Sequence, residues 1–192
     1  MEVFNTEIKL MSTTIRHSEL VDAFTGDLRP YNRRGELNYW SDTIALVYDE
    51  NRLINVNEVP IAEANKISIQ LTKLPYVEPD VIMFQTNAYI NNFSGTRLAG
   101  VPDLIIEVWS EDNDAKHRDK KFAIYSSSEL TEHWYIEQRS DIVKCYKGSN
   151  RLPDQHLQQI LKTQSGIQFD LTDKITGDDS SWNDFQEYGY KG

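Results

Sequence analysis

At 192 residues, with 39% hydrophobic and 26% charged side chains, the chain has the composition of a soluble globular protein long enough to bury a sizeable core. Thirty acids against 20 lysines and arginines give a formal charge of −10, which argues against broad nonspecific affinity for DNA, since basic side chains on phosphates supply that affinity. A single cysteine, Cys145, excludes an internal disulfide and an ordinary zinc cluster, and no window approaches the ~18 uninterrupted apolar residues of a membrane span.

The first ten residues, MEVFNTEIKL, are neither basic nor followed by a long apolar core, so no secretory signal is expected. With the lone cysteine this makes a cytoplasmic location the expectation. Ser12, Thr13 and Thr14 are candidate helix caps, and SELVDAF at 18–24 fits a short helix ending at Gly26. Residues 28–35 hold Pro30 and Gly35 among Arg29, Arg33 and Arg34 and read as a basic loop. Residues 36–60 read as a hairpin: DTIALVYD, a turn at DEN, then RLINVNEV ending at Pro60. KISIQLT at 66–72 offers another strand. EPDVIMF at 78–84 is a strand led by acids, and 86–100 reads as a polar connector.

GVPDLIIEVWS at 100–110 is the most apolar strand. Asp112, Asn113 or Asp114 can cap the helix that follows to about residue 126. Phe122, Ile124 and Tyr125 are its candidate packed side, and Lys116, Arg118, Lys120 and Lys121 supply its charge. LTEHWYIEQRSDIVKCYKGSN at 130–150 reads as strand, turn, strand, with His133 and Tyr135 on one side and Trp134 and Ile136 on the other. QQILKTQSGIQFDLTDKI adds a short final strand pair, and 177–192 is a polar, aromatic tail. The expected organisation is one domain over 1–176 followed by that tail.

Acids within apolar strands are costly unless paired, hydrogen-bonded or bound to a metal. Glu78 and Asp80 share a face, as do Asp103 and Glu107. The latter two are roughly 13 Å apart along a straight strand, too far to share one ion without a bend or a second ion. If the 78–84 and 103–109 strands are antiparallel neighbours, one register sets Asp80 opposite Glu107. The two carboxylates would then repel unless a cation intervened, which makes the pair a candidate Mg²⁺ or Mn²⁺ site. Phosphodiester hydrolysis needs an acceptor of charge and an activated water, and a carboxylate-held ion supplies both; Lys121 is the candidate assisting lysine, with Lys120 or Arg118 as candidate phosphate contacts. A plainer reading stands beside this one. Asp80 and Asp103 each follow a proline and would cap turns, and the basic residues of the helix would form a solvated face.

EPDVIMF, GVPDLIIEVWS, KHRDKKFAIY and EHWYIEQRSDIVKCY together resemble the bacterial family labelled "putative restriction endonuclease", abundant in cyanobacteria and part of the PD-(D/E)XK nuclease superfamily. The resemblance covers about 76–147 and is looser to about 175. It implies an α/β (α+β) fold with a restriction endonuclease-like core, a mixed central β-sheet flanked by helices. It implies metal-binding acids at Asp80, Asp103 and Glu107, with Lys121 from the helix completing the catalytic set. Trp109 stands where the standard motif has its lysine, and His117 stands where the family has an aspartate. The family also implies DNA as partner, Mg²⁺ or Mn²⁺ as the only cofactor, and a homodimer. The competing expectation is a catalytically inactive nuclease-fold protein that binds DNA or another protein.

Overall fold

The computed structural model describes residues 3–41, 44–58, 70–91, 95–110 and 114–175, with side chains from Arg16 onward. Helix α1 spans Val3–Arg33, so it continues through both Gly26 and Pro30 where the sequence suggests a stop and a basic loop. Packing explains the difference. Leu20, Val21, Phe24 and Leu28 recur on one helix face and are all buried. That burial outweighs the ~1 kcal/mol a helical glycine costs. Pro30 stands near the helix end, where its carbonyl still accepts from the Arg34 N–H at 3.3 Å. The segment 12–14 lies inside the helix, not at its start.

The strands follow in chain order: β1 (Asn38–Ser41), β2 (Ala45–Asp49), β3 (Arg52–Leu53), β4 (Tyr76–Val77), β5 (Val81–Phe84), β6 (Tyr89–Asn91) and β7 (Arg97–Gly100). After β8 (Leu104–Trp109) comes helix α2 (Ala115–Tyr125), then β9 (Glu132–Glu137), β10 (Ile142–Lys147), β11 (Asn150–Arg151), β12 (Gln155–His156), β13 (Leu161–Lys162) and β14 (Gln168–Phe169). The main sheet runs β1-β5-β8-β9-β10-β11, with β12 beside β10. Its β8–β9 ladder is parallel and its other ladders antiparallel, so the sheet is mixed. A second sheet is ordered β3-β2-β7-β6, with β4 on β2, and β13 pairs with β14.

The β2–β3 hairpin turns at Glu50 and Asn51, whose φ values of 46° and 61° suit a tight hairpin turn. The segment 86–100 is no plain connector, because β6 and β7 pair antiparallel within it. Most of the KISIQLT segment lies outside the described residues, and its end, Leu71–Lys73, is a 3-10 turn. The tail 177–192 also lies outside them.

Alternation in β8 and β9 builds two cores. One face sends Ile106, Val108, Trp134 and Ile136 against Leu20, Phe24 and Leu28 of α1. The other sends Ile105 and Tyr135 toward Ile124 and Tyr125 of α2 and Leu46 of the second sheet. The main sheet is therefore flanked by a helix on each face. Parallel β8 and β9 are joined through α2, which brings the helix back over the C-terminal half of β8.

Candidate active site

The β5–β8 ladder pairs Val81 with Ile106, Ile82 with Ile105 and Met83 with Leu104. One step further along the same register sets Asp80 opposite Glu107. Asp80 lies just before β5, and its Oδ2 accepts from the Val108 N–H at 2.6 Å, tying it to the end of β8. Its Oδ1 lies 3.0 Å from His17 Nε2, which reaches across from α1.

Glu107 interrupts the apolar run of β8 and is almost fully buried. Its partners come from α2. Lys121 Nζ donates to Oε2 at 2.8 Å and Tyr125 O–H donates to Oε1 at 2.6 Å. Lys121 and Tyr125 are four residues apart, so one helix face presents both. Helix α2 begins at the Asp114 cap, whose carboxylate accepts from the Lys116 N–H at 3.2 Å. Lys121 also donates to the Glu78 carbonyl at 2.7 Å, which anchors the chain ahead of Asp80. Lys121 is buried, whereas Lys116 and Lys120 are exposed.

Burial pushes the Glu107 carboxyl up to about 7; Lys121 opposes that rise and the Asp80 charge adds to it. Burial, then the neighbouring Glu107 charge, raises the Tyr125 hydroxyl well above its ordinary value, so it remains a donor.

These groups open on a pocket of about 150 Å³ at the C-terminal end of β8. His17, Asp80, Glu107 and Lys121 form one part of its lining, and Trp109, His117, Arg118 and Gln138 another. Arg118 Nη1 donates to both Glu137 oxygens at 3.0 and 3.1 Å, Nη2 donates to the Ser110 carbonyl, and the guanidinium lies over the Trp109 ring at 4.7 Å. Its charge is engaged with Glu137 and is not free for phosphate as the sequence reading allowed. Lys120 lies over the Tyr48 ring at 5.5 Å and is absent from the pocket lining.

Of the four candidate residues, the structure brings together Asp80, Glu107 and Lys121 and leaves Asp103 apart. Asp103 sits at the other end of the β5–β8 ladder, where its Oδ2 accepts from the Gln85 N–H at 2.7 Å. The strand from Leu104 to Trp109 is continuous, so no bend carries Asp103 back to Glu107. Among the described residues, no group of three or more His, Cys, Asp or Glu side chains is gathered to hold a metal. The donors that do converge, two carboxylates with Coulombic repulsion between them, fit a hard divalent ion. Mg²⁺ is commonly held by one or two protein carboxylates, with waters and substrate phosphates completing its shell.

His17 is the member that sequence reasoning missed. A signal was there: His17 continues the buried stripe of Leu20, Val21, Phe24 and Leu28 one turn earlier. It becomes visible only when α1 is recognised as one long helix. His133, by contrast, is structural. It is buried between Tyr135 Oη at 2.9 Å and the Gly148 carbonyl at 2.8 Å.

A family model described as Uma2, putative restriction endonuclease, matches residues 1–175. The chain belongs to the Uma2 family. No curated protein matches it. Among solved structures, it is similar to a putative nuclease belonging to DUF820 from Anabaena variabilis ATCC 29413. That likeness has a TM-score of 0.57 and 12% identity, and covers 83% of this chain and 82% of the other. At this identity it speaks for the fold, which agrees with a restriction endonuclease-like core in this Uma2 protein. Among the described residues no helix is long and apolar enough to cross a membrane.

Proposed function

We propose that the protein is a divalent-metal-dependent endonuclease that hydrolyses DNA phosphodiester bonds. The observation that carries this reading is the convergence of Asp80, Glu107 and Lys121 on one pocket at the end of β8. Asp80 and Glu107 would hold Mg²⁺ or Mn²⁺, with Asp103 serving the sheet instead. A bound ion of this kind supplies Lewis-acid polarisation and water activation. Lys121 holds a positive charge beside the acids, placed to offset negative charge developing on the phosphate. Tyr125 keeps the Glu107 carboxylate oriented through Oε1. Family membership and the nuclease fold support this assignment. A homodimer would present two such pockets to the two strands of a duplex, and the cytoplasm is the compartment proposed.

A second reading has its own observation. Each oxygen of Asp80 and Glu107 already has a hydrogen-bond partner within the protein: His17, the Val108 N–H, Tyr125 and Lys121. An internally satisfied cluster suits a nuclease fold that binds DNA without cutting it.

Nicking of supercoiled plasmid with Mn²⁺ or Mg²⁺ separates the two readings, run beside Glu107→Gln and Lys121→Ala. Metal-dependent nicking abolished by both substitutions supports the enzyme. DNA binding without nicking under either metal supports the binding module.

A further inference from the structure

The ionisable groups that line the pocket are committed inside the protein, with one exception. Asp80 is held by His17 and the Val108 N–H, Glu107 by Lys121 and Tyr125, and Arg118 by Glu137 and Ser110. The exception is His117. It is exposed, it lines the pocket, and among the described residues its imidazole has no hydrogen-bond or ion-pair partner.

The helix fixes where His117 stands. His117, Lys121 and Tyr125 are spaced four residues apart, so they share one face of α2. Each step is about 6 Å along the helix axis. Tyr125 is fully buried, Lys121 is nearly so and His117 is open to solvent. The series therefore climbs from the floor of the pocket to its mouth. Both lower members point at Glu107, and His117 stands one turn beyond Lys121 on the solvent side.

Breaking a phosphodiester leaves a sugar oxygen that departs readily only if it gains a proton. The other proton carriers at the pocket are poorly placed to give one. Arg118 does not release its protons in a protein. Burial and the Glu107 charge hold the proton on Tyr125. Lys121 is tied to Glu107 and to the Glu78 carbonyl, and His17 is tied to Asp80. An imidazole with free nitrogens and a path to solvent can deliver a proton and be reloaded.

We propose that His117 is a further catalytic residue, the general acid that protonates the leaving sugar oxygen. The inference rests on the nuclease reading above. The attacking water oxygen bonds to phosphorus as the bond from phosphorus to the sugar oxygen breaks. The electron pair of that bond goes to the sugar oxygen, which takes the proton from the His117 N–H. The attacking water's proton passes to solvent, and solvent returns a proton to the imidazole.

The test compares the full chain with His117→Asn, which keeps a polar side chain and loses the acid. The substrate is a duplex oligonucleotide spanning a linkage that the parent nicks in plasmid with Mn²⁺. It is made with the ordinary linkage and with sulfur in place of the leaving oxygen; the end that carries the phosphate at the nick identifies that oxygen. Sulfur leaves as a thiolate and needs no proton. On the ordinary linkage, His117→Asn should cut on the order of 100-fold more slowly than the parent in single turnover. On the sulfur linkage the two rates should agree within about three-fold. Mn²⁺ affinity in calorimetry and Tm should match the parent, because the exposed imidazole supports neither. An equal loss on both linkages, or no loss on either, overturns the inference while the nuclease reading stands. A fall in Mn²⁺ affinity also overturns it, since His117 would then act through the ion. A parent that cuts no DNA removes the nuclease reading, and this inference falls with it.

Discussion

Lys121 Nζ lies 2.8 Å from Glu107 Oε2, and the side chains of this pair are only 10% and 2% exposed. The contact joins the middle of α2 to the middle of β8 and turns two residues of awkward burial into mutual partners. Removing one member of such a buried pair leaves the other uncompensated, at a cost of about 3–5 kcal/mol.

Lys121→Met should therefore destabilise the protein by about 3 kcal/mol at pH 8.5 in metal-free buffer. The loss should shrink at pH 5.5, where Glu107, with its pKa near 7, carries a proton. Urea unfolding at the two pH values measures both. An equal loss at each pH would mean that the lysine acts through packing alone.

Glu107 and His133 pull the pH dependence of the parent in opposite directions, and Glu132, also raised by burial, acts on the Glu107 side. Glu107 is raised from 4.5 to about 7, so the folded state binds its proton more tightly. The stability this contributes is full below pH 4.5 and is lost as pH rises through about 7. His133 is lowered from 6.5 to about 4 by burial, with the Gly148 carbonyl opposing. Its contribution is present above pH 6.5 and is lost as pH falls through about 4. The Gly148 carbonyl can only accept, so Nε2 carries the proton and Nδ1 accepts from the Tyr135 hydroxyl. Metal-free Glu107→Gln should lose the decline between about pH 5 and 8 and keep the acid-side decline. Tm measured from pH 4 to 9 in chelator tests this, and an unchanged alkaline slope in Glu107→Gln would assign it elsewhere.

Asp103 supplies a contrast with Asp80. Its carboxylate is spent on the Gln85 N–H, so Asp103→Ala should cost about 1–2 kcal/mol of stability and leave nicking within a few-fold of the parent. Asp80→Ala should abolish nicking. Loss of nicking in well-folded Asp103→Ala would restore Asp103 to the site.

How much of this was legible in the chain depends on how local the signal was. Strand alternation around Ile105–Ile106 and Trp134–Ile136 assigned the faces of β8 and β9 correctly, because period-2 patterning needs no tertiary information. The pairing of Asp80 with Glu107 was reachable as one register among several. Pro30 and Gly26 misdirected the reading of α1, since local breaker signals gave no measure of the sheet face that the helix covers. Tyr89–Asn91 and Arg97–Gly100 looked like a connector because Asn and Gly dominate the segment, yet they pair with each other and β7 also pairs with β2. The His17–Asp80 contact spans 63 positions: the α1 stripe sets His17 on the sheet-facing side, but no local pattern names Asp80 as its partner.

His17 gives the last prediction. Its Nε2 lies 3.0 Å from Asp80 Oδ1, and Asp80 Oδ2 is fixed by the Val108 N–H, so the carboxylate is held from both sides. If Asp80 holds a divalent ion, His17 orients the ligand without being one. Loss of such an outer partner typically costs 10–100-fold in metal affinity or activity. His17→Ala should therefore weaken Mn²⁺ binding by about 10-fold or more in calorimetry and slow nicking in parallel. His17→Gln, which can still donate to Oδ1, should recover most of the binding. Undiminished Mn²⁺ affinity in His17→Ala would show that the Val108 N–H alone is enough to hold Asp80 in place.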